Sequence, residues 1–518
     1  MPAAAASRRR KRRLSKRLPK RLGIAVVVVL GLLTITLALS YALLRTQATT
    51  TLIARNSSRL LDARLAAEAG LAAALRKMHE DNWPGVTSQW SATVDTNSSY
   101  LVEYMTGDSS LTVGSPDYDE YPFRVTITAT GTATDPLQPS LQTTYRLQAV
   151  VQLVRRALRG NPSGWNNYLT PTVYQWSSQE AHLNFPARIE GPAVFLGRLR
   201  LATNYPGTLT TRDRYLSDLN LLRGLTGQDD RPLAGTVTLG TSSQYSDVIN
   251  SLSNSLGLTV NYSSASTATP FTRPGSVTTY QLYPGGKTYD IPSLNATYGS
   301  YPSNIQLTAD PVANPLGVFR AEGQVTLGNN VRLTGTLLAG DASADVRVSG
   351  SGVTLAGRNL PALEGSSTEY QLPVVLSGDD FRLADDCQVN VQGLALVWDE
   401  FELSYGSPNQ TLNFTGRLVT AKFLGRGRDT WDMIDTYWDL ERLGYQLQYR
   451  DPPTQTSITG FPEWLRLRYN FDYRNPKLRI RPNTDGVQYR WQDWSQSVYV
   501  KAAGDIGLKW DVIRITPL

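Results

Sequence analysis

Few residues in this chain have the types and spacings that do chemistry. The histidines are two, His79 and His182, and neither has a metal-ligand partner at a usable spacing. His79 falls near the end of a helical stretch, where a cation is favoured by the helix dipole. There is no Gly-x-Ser-x-Gly and no phosphate-binding Gly-rich loop. Cys387 is the single cysteine, so no intrachain disulfide forms and no thiolate metal site is encoded. Asp379-Asp380 and Asp385-Asp386 flank a short apolar strand and read as exposed turn acids. Asp429, Asp432, Asp435 and Asp439 share one face at helical spacing, but with Trp431 and Trp438 interleaved they read as an acidic capped helix. Asp117, Asp119 and Glu120 could offer oxygens to Ca²⁺, with a solvated turn as the simpler reading. No catalytic residue, metal ligand or cofactor site is assigned, apart from that Ca²⁺ candidate, and the chain is not expected to be an enzyme.

The remaining candidates are basic. Arg417, Lys422, Arg426 and Arg428 lie near Phe414 and Phe423. Arg466 and Arg468 alternate with Trp464 and Tyr469. Cations interleaved with aromatics suit DNA backbone or single-strand binding, and they equally suit a charged strand face. The whole-chain charge of +7 is no help in choosing. Ten Lys and Arg sit between Arg8 and Arg21; without them 41 basic residues face 44 acidic ones, a net of −3. The folded body is near neutral, so basicity is not an argument for nucleic-acid binding by it.

These candidates must be positioned by a chain of 518 residues, long enough for two or three domains. The stretch it is organised around is Arg21 to Met78. Leu22 to Leu44 is an unbroken apolar run, about the length that spans a bilayer core as a helix. The ten cations on its N-terminal flank place that flank in the cytoplasm and the body outside. A cleaved signal peptide, ending near Ala38-Leu39-Ser40, is the alternative; the run is longer than a signal core and stays apolar past that point. Beyond the span, Arg45 to Glu80 contains no Pro and is rich in Ala, Leu and Arg. Leu61, Leu65, Leu71 and Leu75 predict its apolar face, and Asn82-Trp-Pro-Gly85 predicts its end.

The span followed by Leu65-Ala-Ala-Glu-Ala-Gly-Leu71 resembles the N-terminal segment of the PilX and type II secretion K-type minor pilins. The resemblance covers about residues 20–80. It implies a stalk helix held in the inner membrane before assembly and packed against other pilins afterwards. The motif residues Leu65, Glu68, Gly70 and Leu71 are the carriers. It also implies peptidase processing between Gly23 and Ile24. Counted from Ile24, the fifth residue is Val28, where major pilins have Glu, so the chain departs from the main pattern there.

After Trp83 the pattern changes to strands. Tyr100–Met105, Phe123–Thr130 and Thr144–Val154 alternate apolar and polar residues and predict an antiparallel meander. Further on, a nine-residue pattern recurs with Gly191, Gly335, Gly393 and Gly416 at the same place, each with an apolar residue two positions before it. Short related strands with a glycine at the bend predict a parallel β-solenoid, with a β-sandwich as the alternative. The fold class is therefore mainly β, carried on one long helix. The expected organisation is a basic tail at 1–21, a transmembrane helix at 22–44, its extension at 45–83 and a pilin-like sheet at 84–160. A solenoid-like body at 161–430 carries a loop-rich insertion at 200–315, with a helix at Ser246–Leu256. A Trp-rich β region occupies 431–518.

The expected function is that of a non-enzymatic minor pilin or pseudopilin of a type IV pilus-like or secretion filament, with a large head at the tip. Its expected location is single-pass in the inner membrane, with the body periplasmic or extracellular. Alternatives are a DNA-uptake tip pilin, a bitopic envelope adhesin and a carbohydrate-active solenoid enzyme. Partners under these readings are the membrane, other pilins, and DNA or a surface ligand at the head.

Overall fold

The computed structural model describes residues 22–80, 82–154, 156–158, 165–179, 181–183, 188–197, 199–201, 236–239, 259–262, 270–294, 303–340, 342–360, 370–384, 386–405, 410–427, 478–484, 486–490, 500–502 and 510–518. Helix α1 runs unbroken from Leu22 to Met78, 57 residues and about 86 Å. In the β-branched stretch Thr49–Thr51 each hydroxyl donates to the carbonyl four residues back, at 2.8 Å, and the helix continues through it. Arg76 and Lys77 suit the C-terminal dipole.

The antiparallel sheet is ordered β1 (Gln89–Thr93), β2 (Ser98–Thr106), β3 (Arg124–Thr134), β4 (Gln142–Leu153) and then the C-terminal strand Trp510–Pro517. Its period-two pattern turns Val102, Tyr104, Val125, Ile127, Ala129, Ala149 and Val151 inward. These cover the distal part of α1 on a face that includes Leu71 and, partly, Leu75 of the predicted leucines, but not Leu61 and Leu65. Leu61 and Leu65 are more than half exposed, whereas Ala63, Ala66, Ala67 and Ala74 are buried with Leu71 and Met78. The physical reason is closeness. A Cβ on Gly131 of β3 would lie 1.9 Å from the Ala63 carbonyl oxygen and 2.4 Å from the Ala67 nitrogen. Only small residues fit where strand and helix backbones meet so tightly.

Most of the remaining described strands form a parallel β-solenoid, as three ladders of stacked strands show. Coil one is Gln306–Thr308, Val318–Ala321 and Val325–Leu327. Coil two is Arg332–Thr334, Thr336–Ala339 and Val346–Val348, each strand pairing with its counterpart in coil one. Coil three is Val353–Ala356, Val375–Ser377 and Phe381–Leu383. Coils four (Gln388–Tyr405) and five (Thr411–Gly427) each wrap all three faces as one long strand. Inward residues stack in rows, such as Leu307, Leu333, Leu355, Val391, Phe414 and Ile480 on the first face. The glycine repeat marks the corner between the first and second faces. Gly393 pairs with Gly416, and a Cβ on Gly416 would stand 1.7 Å from the Gly393 oxygen.

Coil six comes from both ends of the inserted chain. Its first face is Leu478–Arg481, and its second and third are Val173–Gln175 and Ala181–Leu183. Coil seven follows with Arg188–Ile189, Ala193–Phe195 and Leu199–Leu201. The parallel ladder of the second face continues through Thr236–Leu239 and Thr259–Tyr262. The chain thus enters the stack at Thr172 and leaves it at Pro482, side by side against Gly191. Two neck strands, β5 (Arg156–Leu158) and Val500–Ala502, run antiparallel between head and sheet. The whole solenoid is an insertion between two neighbouring strands of the antiparallel sheet.

Solenoid strands therefore occur inside the stretch 200–315, which sequence reads as loop-rich. The described part of the Trp-rich C-terminal stretch supplies a strand to the solenoid, one to a small sheet with Asn359–Leu360 and Tyr370–Gln371, one to the neck and one to the antiparallel sheet. Ser246–Leu256 lies outside the described residues. The second face is apolar on both sides, as buried parallel strands are: Leu337 points in, while Leu338, Leu376, Leu396 and Val419 point out. They share one buried cluster with Phe271, Tyr280, Tyr283 and Tyr289 and with the helix and sheet interior. Residues 270–294, folded around the hairpin Thr279–Gln281/Thr288–Asp290, form the wedge between head and stalk.

Candidate functional site

The stalk motif lies where the sheet begins to cover α1. Gly70 is needed because its Cβ would touch the Tyr100 ring at 2.9 Å. Leu71 is buried below the sheet, and Leu65 faces solvent. Glu68 pairs with Arg64 at 2.9 Å on the exposed side, a local i,i+4 pair that solvent screens. At the helix end, His79 Nδ1 lies 2.7 Å from the Leu75 carbonyl and Nε2 lies 3.4 Å from the Trp510 backbone N–H. With Nδ1–H donating to Leu75, Nε2 accepts from Trp510. The imidazole ties the end of the stalk to the returning C-terminal strand, a role its helix-end position alone does not reveal.

Trp83, Tyr104, Tyr283 and Trp510 pack edge to face around that joint, with centroids 5.4–5.7 Å apart. The Val86 N–H donates to the Gly285 carbonyl at 2.9 Å. Gly85 has φ of +102°, and a Cβ there would meet Gly285 oxygen at 2.5 Å. Stalk, sheet and head wedge are thus locked backbone to backbone.

The acids read as turn residues behave differently. Asp345, Asp380 and Glu400 stand at the same place in coils two, three and four, because Val346, Phe381 and Phe401 pair in register. With Asp379 they form a carboxylate group whose ligand atoms lie within 4.8 Å for Asp345, Asp379 and Asp380. Asp380 is buried rather than exposed. One oxygen accepts the Glu400 N–H at 2.8 Å and the other accepts from the Arg382 guanidinium. Arg382 also reaches Asp345 at 3.7 Å and Glu402 at 3.5 Å. It provides the positive charge that such a group would otherwise draw from a metal. Burial, then Asp380, Asp345 and Asp399, push the Asp379 carboxyl up to about 6. Burial, then Asp380 and Glu400, raise Asp399 as well. A repeat of acid, apolar, any, apolar (Asp345-Val-Arg-Val, Asp380-Phe-Arg-Leu, Glu400-Phe-Glu-Leu) is the sequence signal for this ladder.

The Ca²⁺ candidates separate. Asp117 pairs with Arg124 at 3.4 Å, Asp119 with Arg358 at 3.2 Å, and Glu120 accepts from Gln152 at 2.8 Å. Asp385 and Asp429 to Asp439 lie outside the described residues, and Asp386 is exposed.

Of the basic candidates, Arg417 donates to the Leu169 carbonyl at 2.8 Å, and burial holds its guanidinium below its usual value. Lys422 is paired with Glu400. Both are engaged within the head and do not present a joint surface. Arg426 is described only in its backbone, in the last turn of coil five; Arg428, Arg466 and Arg468 lie outside the described residues. Gly23 and Ile24 lie in the first turn of α1, with Ile24 exposed. From Ile24 to Ser58 every residue of the helix is exposed, and its apolar window has a mean hydropathy of 2.5, long and apolar enough to cross a membrane.

No family model and no curated protein matches the chain. Among solved structures it is similar to the crystal structure of the competence-associated pilin ComZ from Thermus thermophilus. The match has 11% identity, covers 89% of this chain and 98% of that one, and has a TM-score of 0.22. Identity and superposition are both too low to carry residue roles across.

Proposed function

We propose that this chain is a membrane-anchored, non-enzymatic minor pilin or pseudopilin that presents a large solenoid head. One observation carries this reading. A single helix is fully exposed along its apolar half and is covered by an antiparallel sheet only from Ala63 onward. A plain anchor needs only the span; about 30 further exposed and half-covered residues of rigid helix supply a stalk. The ten cations before Leu22 set the N-terminus in the cytoplasm. The exposed Leu60, Leu61 and Leu65 leave apolar surface beyond the membrane for like helices. A head of this size favours a place at a filament tip, where it need not repeat. Arg382 with Asp380, Asp345 and Glu402, and Lys422 with Glu400, are ion pairs within the head.

N-terminal sequencing of the mature protein tests the reading. A start at Ile24 supports prepilin processing, and a start near Tyr41 refutes a retained stalk. Loss of surface filaments on deletion separates a filament subunit from a free-standing envelope adhesin, for which filaments persist.

A further inference from the structure

The three faces of the head are unlike one another. The second is buried against the wedge of residues 270–294, and the third carries the mixed Asp345–Arg382–Glu402 ladder. On the first, the described outward side chains are exposed or half-exposed. Its register aligns Gln306, Arg332, Thr354, Asn390, Asn413 and Arg479 in one outward row across six coils. At the parallel-strand spacing this row is about 24 Å long. A second row beside it is of the same kind and ends at Thr415 and Arg481, joined by a 3.0 Å hydrogen bond. No outward position in either row through coil six is a carboxylate or an aromatic; Glu190 appears only at coil seven, beside Arg481. The adjoining corner adds amides, with Asn330 donating to Asn304 at 2.9 Å and both in left-handed backbone.

We infer that this first face, from Gln306 to Arg481, is a binding surface for a linear acidic polysaccharide of the uronate type. Amide and hydroxyl side chains in regular rows match sugar hydroxyls, which both donate and accept. Guanidinium groups among them match carboxylates, to which Arg binds with two parallel hydrogen bonds. Strands repeat at about 4.8 Å, close to the advance per ring of an extended pyranose chain, so successive sugars meet successive coils. Arg332 and Arg481, with no carboxylate among the described outward positions of these rows through coil six, complement an anionic polymer. The absence of aromatic side chains from the described outward positions removes the stacking platform that single-stranded nucleic acid uses. The inference concerns the head alone and stands whether or not the stalk enters a filament.

The test is titration of the detergent-solubilised full chain with polygalacturonate, a neutral linear galactan, single-stranded DNA and duplex DNA. Polygalacturonate is expected to bind saturably and the galactan far more weakly. The double variant Arg332→Ser/Arg481→Ser should lose at least about tenfold in affinity, two charged hydrogen-bond donors being removed. Asn413→Leu should weaken binding with no change of charge. Arg347→Ser, exposed on the third face, should leave it unaltered. Unchanged thermal melting of each variant shows that the fold is retained. Three results overturn the inference: no saturable polygalacturonate binding, an equal loss in Arg347→Ser, or tighter binding of DNA with the same variant sensitivity, which would assign the face to nucleic acid.

Discussion

The closest approach in the stalk gives the sharpest prediction. Gly131→Ala adds one methyl group to β3, 1.9 Å from the Ala63 oxygen and 2.4 Å from the Ala67 nitrogen. Both are backbone atoms in the middle of α1, so no rotamer change relieves the clash. Real Cβ contacts stay beyond 3.0 Å, so strand and helix must part by about 1 Å. A gap of that size forfeits a quarter to a half of the dispersion energy of each contact across it. Ala63, Ala66, Ala67 and Val102, all essentially without exposed surface, lose their facing atoms together. The expected cost is about 3 kcal/mol, at the upper end for overpacking, with the melting transition of the stalk–sheet unit falling by roughly 10 °C. Gly323→Ala is the control, since a Cβ there meets nothing within 4 Å. The assay is thermal melting in detergent followed by circular dichroism. A Gly131→Ala protein that melts with the wild type would refute the claim that β3 and α1 touch backbone to backbone.

Three further perturbations test the electrostatics and the insertion. Asp379 has its carboxyl raised from 3.8 to about 6, so its ionisation opposes folding above pH 6 and the penalty disappears as pH falls through 6 toward 4. The full shift corresponds to about 3 kcal/mol, which solvent screening at this partly exposed group reduces to about 1 kcal/mol; Asp379→Asn should therefore stabilise at pH 7 and be neutral at pH 4, measured by denaturant titration. Asp108 is the opposite case. Its burial disfavours charge, but the Ser110 N–H and hydroxyl and the Arg514 guanidinium outweigh this and hold the carboxyl below its usual range. Its contribution is present at neutral pH and lost as pH falls through that lowered value. With Arg124 and Arg514 left facing an amide, Asp108→Asn should cost about 3 kcal/mol at pH 7 and progressively less in acid. Finally, Leu158 pairs with Val500, so a two-residue turn can replace residues 159–499. The shortened protein should keep the helix and a cooperatively melting sheet; aggregation or loss of the melting transition would show that the sheet depends on the head.

Much of this architecture was legible in the residues. The apolar run, the Pro-free continuation and the Asn82-to-Gly85 stop define α1 to within a few residues. Alternation in Phe123–Thr130 and Thr144–Val154 defines the sheet that covers it. The glycine repeat identified the solenoid corner: Gly335, Gly393 and Gly416 mark it in coils two, four and five, all with positive φ, and a Cβ on Gly335 or Gly416 would strike the neighbouring coil's backbone; coil three turns there at Gly357, outside the repeat. Gly191 stands out of order for a definite reason: it belongs to coil seven, beyond coil five in space but before it in sequence. The helix face was half misjudged: Leu71 and Leu75 lie on the covered side, but nearer the membrane apolarity was weighed without size. Contact at Gly131 selects alanine at 63 and 67, and Leu61 and Leu65 are left outside. The Asp345–Asp380–Glu400 ladder escaped notice because its members are 20 to 35 residues apart and become neighbours only through register. Asp380, read as a turn acid, is buried by that same register.

The shared doorway at Thr172 and Pro482 has a mechanical consequence. A solenoid whose ends leave from its terminal coils can be peeled, one rung after another, by a pull on either end. Here both ends leave from coil six, which is clasped by coil five on one side and coil seven on the other. A tug between the stalk and whatever the head grips is divided between two strands of the neck. To extract either, it must first break ladders on both flanks at once. The head resists unravelling as a closed ring does, although the chain that forms it is open.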